Sequence, residues 1–315
     1  MALLSIVIPS YNEESNIRHT AEVLSALLQR EQIDYELLFV SDGSKDQTFP
    51  LIRRLAEEDS RVRGVQFSRN FGKEAAIFAG LRLAKGDCCV VMDCDLQHPP
   101  ETIPVMYKLW EDGYEVVEGI KKSRGKERWT YKLSTGVFYK LLGRLTGVEM
   151  YDTSDFKLLD RKVMDVLSAL PERNTFFRAL SFWTGFRSTR VEYEVAERRY
   201  GESKWSLKGL WKYAVSNITS FSSAPMQLVT GLGVLLLILS VVLGVQTLIR
   251  YFSHQAVEGF TTVILLLLII GGVLMMSLGI IGYYIAKIYD EVKGRPRYII
   301  GDITDNLHIE KSGQN

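Results

Sequence analysis

Two stretches near the carboxyl end carry no charged side chain: 22 residues from Leu228 to Ile249 and 27 from Phe260 to Ala286. A helix needs roughly 20 apolar residues to cross the hydrocarbon core of a bilayer. A core helix of a water-soluble domain is rarely so long and so apolar, and here two follow in succession. The chain is therefore expected to span a membrane twice. Ser206 to Ser222 precedes the spans, setting Leu207, Leu210, Trp211 and Val215 against Lys208 and Lys212. That pattern predicts a helix lying in the interface, with Trp211 at headgroup depth. Among cations, the loop between the spans has only Arg250, whereas Lys204, Lys208 and Lys212 precede them and Lys287, Lys293, Arg295 and Arg297 follow. The positive-inside rule places both flanks in the cytoplasm and the loop outside. The expected location is the inner (cytoplasmic) membrane, as a multi-pass protein. Gly271, Gly272, Gly279 and Gly282 allow close helix contact, so a homo-oligomer is also expected.

The first two hundred residues read differently. Leu4 to Pro9, Tyr35 to Val40, Val62 to Ser68 and Cys88 to Met92 read as short strands, the last a continuous apolar run. Helical spacing separates them: Ile17, Ala21, Leu24 and Leu28, then Thr48 to Glu58, then Lys73 to Ala84. Strands that alternate with helices predict an α/β fold with a mostly parallel sheet covered on both faces. In such a sheet the carboxyl ends of the strands share one edge, where ligands bind. Here that edge receives the loops Tyr11–Glu14, Asp42–Asp46, Ser68–Lys73 and Asp93–Gln97. Asp93 and Asp95 fall where the fourth strand ends. Hard carboxylate oxygens suit Mg²⁺ or Mn²⁺, ions that share their shell with substrate phosphates. No glycine-rich dinucleotide fingerprint or phosphate-binding loop is present, so a diphosphate would be held by metal and basic side chains.

Net charge is +1, which gives no footprint for nucleic acid. The three cysteines, Cys88, Cys89 and Cys94, lack zinc spacing and are read as reduced packing residues in a reducing compartment. The chain enters a strand almost at once, and no cleavable signal peptide is expected.

Three motifs in order, Pro9-Ser10-Tyr11-Asn12-Glu13-Glu14, Ser41-Asp42-Gly43-Ser44-Lys45-Asp46-Gln47-Thr48 and Asp93-Cys94-Asp95-Leu96-Gln97-His98-Pro99-Pro100, resemble family 2 glycosyltransferases of the GT-A fold. With Arg69-Asn70-Phe71-Gly72-Lys73-Glu74-Ala75-Ala76, the chain resembles the polyprenyl-phosphate glycosyltransferases, which include dolichol-phosphate mannose synthase and the bactoprenol glucosyltransferases. The resemblance implies a GT-A nucleotide-sugar-binding domain over residues 1–205. A juxtamembrane amphipathic helix (206–227), two transmembrane helices (228–286) and a cytoplasmic tail (287–315) follow it. It implies that Pro9, Tyr11 and Glu13 line the base and ribose, that Asp42 hydrogen-bonds the base, and that Lys73 belongs to the donor site. Asp93 is implied near ribose and metal, with Asp95 and Gln97 holding a divalent cation under the diphosphate. Asp95 thereby counts as catalytic.

The acceptor half is read beside that site. Lys121 to Arg128 is a dense basic loop, and Arg124 and Arg128 are candidates to clamp a lipid phosphate, because guanidinium pairs bidentately with phosphate oxygens. Arg199-Tyr200-Gly201-Glu202-Ser203-Lys204 resembles the family's R-x-G-x-S-K segment, which assigns Arg199, Ser203 and Lys204 to phosphates. Asp155 corresponds to an acidic residue near the reacting centre. Three roles stay open for it: general base, orienter of sugar or acceptor, or a structural partner of Lys157 or of a basic-loop arginine. The reading is inverting transfer of a hexose to a polyprenyl phosphate such as undecaprenyl phosphate. UDP-glucose is the leading donor, with GDP-mannose, UDP-galactose and UDP-N-acetylglucosamine behind it. The other classes weighed are a nucleotide-sugar-binding scaffold and a lipid translocase. Two uncharged spans offer a translocase no polar path.

Overall fold

The computed structural model describes residues 2–122, 154–172, 176–194, 224–253 and 260–307. The chain divides into two compact units. One is Met1–Trp205 together with Arg295–Asn315; the other is Ser206–Gly294.

The first unit is an α/β fold around one mixed sheet. Its amino-terminal half runs β1 (Leu4–Ser10), α1 (Ile17–Arg30), β2 (Tyr35–Ser41), α2 (Thr48–Glu58), β3 (Val62–Phe67), α3 (Lys73–Leu83) and β4 (Cys88–Val91). Then come α4 (Thr102–Glu111), β5 (Val116–Lys121), β6 (Lys157–Asp160), α5 (Arg161–Ala169), α6 (Phe177–Trp183) and β7 (Ser188–Tyr193). The sheet order is β7-β5-β6-β4-β1-β2-β3-β8, where β8 is Ile300–Ile303. β1 pairs in parallel with β2 and β4, and β2 with β3, so these four strands end on one edge. β6 runs antiparallel between β4 and β5.

The local reasons are plain in the sequence. β1, β2 and β4 are buried throughout because helices cover both faces, and their runs are mostly apolar, the buried Glu36 of β2 being held by Ser5 and Arg63. In α1 the buried positions Ile17, Ala21, Leu24 and Leu28 fall on one stripe facing the sheet. Cys88, Cys89 and Cys94 are free and buried, and burial pushes all three thiols up, that of Cys94 to about 12. They are packing residues.

Two strands depart from the sequence reading. β6 lies where the sequence suggested no strand, because its first residue is a lysine: Lys157 is fully buried, 3.1 Å from Glu118 on β5. β8 comes from beyond the apolar stretches, in the segment expected as a free tail. It pairs antiparallel with β3. Thr304 is fully buried just after it, and its Oγ1 accepts from the Gly64 N–H.

Among its described residues the second unit holds two helices, α7 (Ala224–Phe252, 29 residues) and α8 (Phe260–Val292, 33 residues). Exposed apolar side chains such as Leu235, Leu237, Leu267 and Met275 mark them. Among the described residues one helical stretch, Ile269–Val292, is long and apolar enough to cross a membrane, where two were expected. The comparable stretch of α7, Val229–Leu243, is shorter. The interfacial helix expected over 206–222 lies outside the described residues.

Candidate active site

Parallel pairing of β1 to β4 brings their exit loops to one edge, and the loops are sewn together there. The Asn12 N–H donates to Ser44 Oγ at 3.1 Å, and the Lys45 N–H donates to Asn12 Oδ1 at 2.9 Å. The Glu13 N–H donates to Thr48 Oγ1 at 2.8 Å, while Glu13 Oε2 accepts from Asn16 at 2.6 Å. Asp42 reaches the third loop: its two oxygens accept from the N–H groups of Phe71 and Gly72 at 2.6 and 2.8 Å. Burial pushes the Asp42 carboxyl up, against the pull of these N–H groups and of nearby Arg69. Gly43 makes the close approach possible. Its φ is +63°, and a Cβ there would stand 2.3 Å from the carbonyl carbon of Arg69.

This rim encloses a cleft of about 490 Å³ whose walls include Tyr11, Gly43, Ser44, Lys45, Arg69 and Asn70. Tyr11 is 39% exposed, a flat ring on the cleft wall. Pro9 sits inside β1 opposite Val40 and is buried. A larger groove of about 700 Å³ runs past α2 and β8; Asp46 and Ser68 of the edge loops line it, but none of the residues assigned to donor, metal or acceptor does. The chemistry is at the acidic strand end.

There, Lys73 in the first turn of α3 sits between two carboxylates, 2.6 Å from Asp93 Oδ1 and 2.7 Å from Asp155 Oδ2. Asp155 also receives Arg178 of α6, Nε at 2.6 Å and Nη2 at 2.9 Å. Burial alone would raise the Asp155 carboxyl. Arg178 and Lys73 outweigh it and hold the group far below the usual carboxylate range. Burial would likewise lower Lys73, but Asp93 and Asp155 hold its ammonium above the ordinary value. Of the structural partners expected for Asp155, Lys157 turns instead to Glu118 and to Ser181 Oγ, at 3.1 and 2.7 Å, and the basic-loop arginines Arg124 and Arg128 lie outside the described residues.

Asp95 Oδ1 accepts from the Gln97 N–H at 3.1 Å across Leu96, whose φ is +53°. Asp93, Asp95 and Gln97 therefore lie together at the exit of β4. Among the described residues, no group of three or more His, Cys, Asp or Glu side chains gathers at one point. An ion here would take one or two carboxylates and draw its other ligands from the Gln97 amide, water and substrate phosphate. That is the usual manner of Mg²⁺, so the donor set fits a hard divalent cation.

Three further residues enter the site that the sequence reading assigned no role. Arg178 holds Asp155 from 23 positions away, a distance that local spacing cannot reveal. Glu74 Oε2 accepts from the Phe177 N–H at 2.8 Å, at the start of α6. Burial, with Asp155 nearby, pushes the Glu74 carboxyl up to about 7. His98 is buried, stacked on Phe156 with ring centroids 4.9 Å apart, and burial lowers its pKa. Arg124, Arg128, Arg199, Ser203 and Lys204 lie outside the described residues.

Comparison with known proteins adds independent observations. The family profile described as "Glycosyl transferase family 2" matches residues 5–167. "Uncharacterized glycosyltransferase YkcC" of Bacillus subtilis (strain 168) is 41% identical, over 94% of this chain and 92% of its own length. "SfII prophage-derived bactoprenol glucosyl transferase" of Shigella flexneri is 36% identical, over 94% of this chain and 97% of its own. A solved glucosyl-3-phosphoglycerate synthase from Mycobacterium tuberculosis superposes with a TM-score of 0.47 at 23% identity, covering 69% of this chain and 78% of that one.

Proposed function

Starting from the fact that the chain belongs to glycosyl transferase family 2, we propose that it transfers a glucosyl residue from UDP-glucose to a polyprenyl phosphate, with inversion, at the cytoplasmic face of a membrane. One observation carries the reading. Asp93 and Asp95 sit at the carboxyl end of β4, on the edge where the donor cleft opens, with the Lys73–Asp155–Arg178 array beside them. Relatives of 36% identity, each matched along 94% of this chain, bear the name bactoprenol glucosyl transferase, which supports the acceptor.

The chemistry follows from the side chains. An oxygen of the lipid phosphate attacks the anomeric carbon from the face opposite the diphosphate. The new C–O bond forms as the old one breaks, and the nucleoside diphosphate leaves with the electron pair. A phosphate monoester, with a second pKa of about 6, arrives largely ionised. No strong base is needed, which suits Asp155, a carboxylate already held by two cations and a poor proton acceptor. Its part in this reading is to orient. It fixes Lys73 and Arg178, whose positive charge faces the phosphate-rich reaction zone. Asp95 and Gln97 would hold the divalent cation. Asp93, with Oδ1 engaged by Lys73, would offer its second oxygen. When bound, Mg²⁺ or Mn²⁺ supplies charge that stabilises the departing diphosphate. Tyr11 presents its ring to the nucleotide base, and Arg124, Arg128, Arg199, Ser203 and Lys204 are assigned to phosphates.

Chain connectivity supports two crossings. The helical unit is inserted between Trp205 and Arg295 of the sheet unit, and both ends of the insertion return to the same domain. A chain that leaves and re-enters one water-soluble domain crosses a bilayer an even number of times. With Ile269–Val292, long and apolar enough to cross, taken as one crossing, α7 supplies the other. At 29 residues and 1.5 Å per residue it exceeds the roughly 30 Å hydrocarbon thickness.

The test is a panel of labelled nucleotide sugars presented with undecaprenyl phosphate, reading label in the organic phase. UDP-glucose is expected to give the signal, and EDTA or Asp95→Asn to abolish it. Label carried instead from GDP-mannose would change the sugar. Full activity in EDTA would remove the metal, and no lipid-dependent release of nucleoside diphosphate would remove the enzyme.

A further inference from the structure

The strand that follows the helical unit is built into the back of the donor cleft. β8 lies along β3, whose last residues Gln66 and Phe67, with Ser68, form one cleft wall. The Ser68 N–H donates to Ile299 O at 2.9 Å. Gly301 passes so close that a Cβ would stand 3.2 Å from Ser68 Cα. Tyr298 stacks on Phe67, centroids 5.0 Å apart and planes 9° from parallel. Phe67 in turn meets Phe71 edge-on at 5.8 Å. Phe71 is the residue whose N–H anchors Asp42, and it carries the Arg69 guanidinium 4.1 Å above its ring. Tyr298 is itself held from the other side. Its neighbour Arg297 donates to the Leu170 carbonyl and lies 5.0 Å over the Phe78 ring.

We infer that Tyr298 is a positioning residue for the nucleotide donor. Through Phe67 and Phe71 it fixes the Ser68–Gly72 loop that Asp42 clasps and that opens directly into Lys73. The inference rests on the donor reading given above. Phe67 is 1% exposed and Asp42 3% exposed, with Phe71 half-buried between them, so the path from Tyr298 to the cleft runs through groups in packed contact. Removing the Tyr298 ring would open space behind Phe67. The loop could then relax toward it, and the Phe71 and Gly72 N–H groups would lose register with Asp42.

The full-length protein in detergent micelles is the material for the test, with UDP binding by calorimetry, steady-state transfer, melting temperature and amide hydrogen exchange read together. Stacked aromatic pairs correspond to a change of about three- to tenfold in an equilibrium constant. Tyr298→Ala is expected to weaken UDP binding and raise the donor KM by about that factor, with kcat little changed and faster exchange at the Phe71 and Gly72 amides. Tyr298→Phe, which keeps the ring, should restore all three. Thr304→Val loses a buried hydroxyl at the far end of the same docked segment. It should lower the melting temperature while leaving UDP affinity intact. Unchanged affinity in Tyr298→Ala, equal losses in Tyr298→Phe, or affinity that follows melting temperature across all three variants would overturn the inference. If the wild-type protein binds no UDP, the donor reading fails by itself. Exchange at the two amides, measured without nucleotide, then still decides the role of Tyr298.

Discussion

The Lys73 ammonium stands 2.7 Å from Oδ2 of Asp155, joining the first turn of α3 to the entrance of β6 across 82 positions of sequence. With Arg178 on its other flank, Asp155 is a carboxylate whose charge is already spoken for. A base must give up its partners to take a proton, and this one is held by two.

Asp155→Asn should therefore slow turnover by a uniform factor at every pH. Misplacing a reacting group by about 1 Å can cost on the order of 100-fold, and the same scale is expected here. Donor affinity should survive. Because the Asp155 carboxyl is held far below the usual range, its stabilising contribution is complete at neutral pH. It fades only as pH falls through that depressed value. The pH–rate profile between about pH 5 and 8 should keep its shape in the variant, since a general base would remove one limb.

Glu74 carries the opposite sign. Its carboxyl is raised from 4.5 to about 7, so the folded state binds the proton more tightly than the unfolded state. Stability should fall as pH rises through that window. Glu74→Gln keeps an oxygen for the Phe177 N–H and removes the titration. Melting temperature measured from pH 5 to pH 8 should decline less in the variant than in the wild type, and parallel curves would show that Glu74 does not titrate there.

The contrast between Asp93 and Asp155 shows how far the sequence could be read. The first four strands were legible because apolar runs alternating with helical stripes record local geometry. The Asp93–Gln97 motif follows one of those runs. The partners of Asp155 were not legible, since Arg178 and Lys73 reach it only through the tertiary fold. A buried lysine hid β6, because Lys157 looks like a solvent residue until Glu118 and Ser181 are seen around it. β8 was hidden by separation: Asn306 hydrogen-bonds the Val62 carbonyl from 244 positions away. Asp42 was read as a donor residue, and the structure adds that its oxygens clasp the neighbouring loop.

Gly43→Ala tests that clasp. The left-handed backbone alone costs a non-glycine residue about 1–2 kcal/mol, and the clash with the Arg69 carbonyl carbon adds to it. The variant should melt earlier and bind UDP more weakly than its stability loss accounts for, because the third loop is pushed off the second. Calorimetry well below the melting temperature separates the two effects. Undiminished UDP affinity would show that the rim can shift without consequence.

Cysteine labelling tests membrane sidedness. A single cysteine introduced between positions 255 and 259 should react with an impermeant maleimide in intact cells, and one at position 312 only after lysis. Reaction of both from outside, or of neither, would contradict the two-crossing topology.

The insertion of the helical unit before β8 also sets an order of assembly. When a ribosome has made residues up to the end of α6, the outer edge of β3 has no neighbour, and open edges invite pairing with other chains. The strand that covers it is not synthesised until both long helices have been made. A growing chain therefore presents an unfinished sheet edge until β8 has followed both helices. Synthesis of β8 becomes the step that completes the sheet, and a fragment cut before α7 would be expected to aggregate until β8 is supplied in trans.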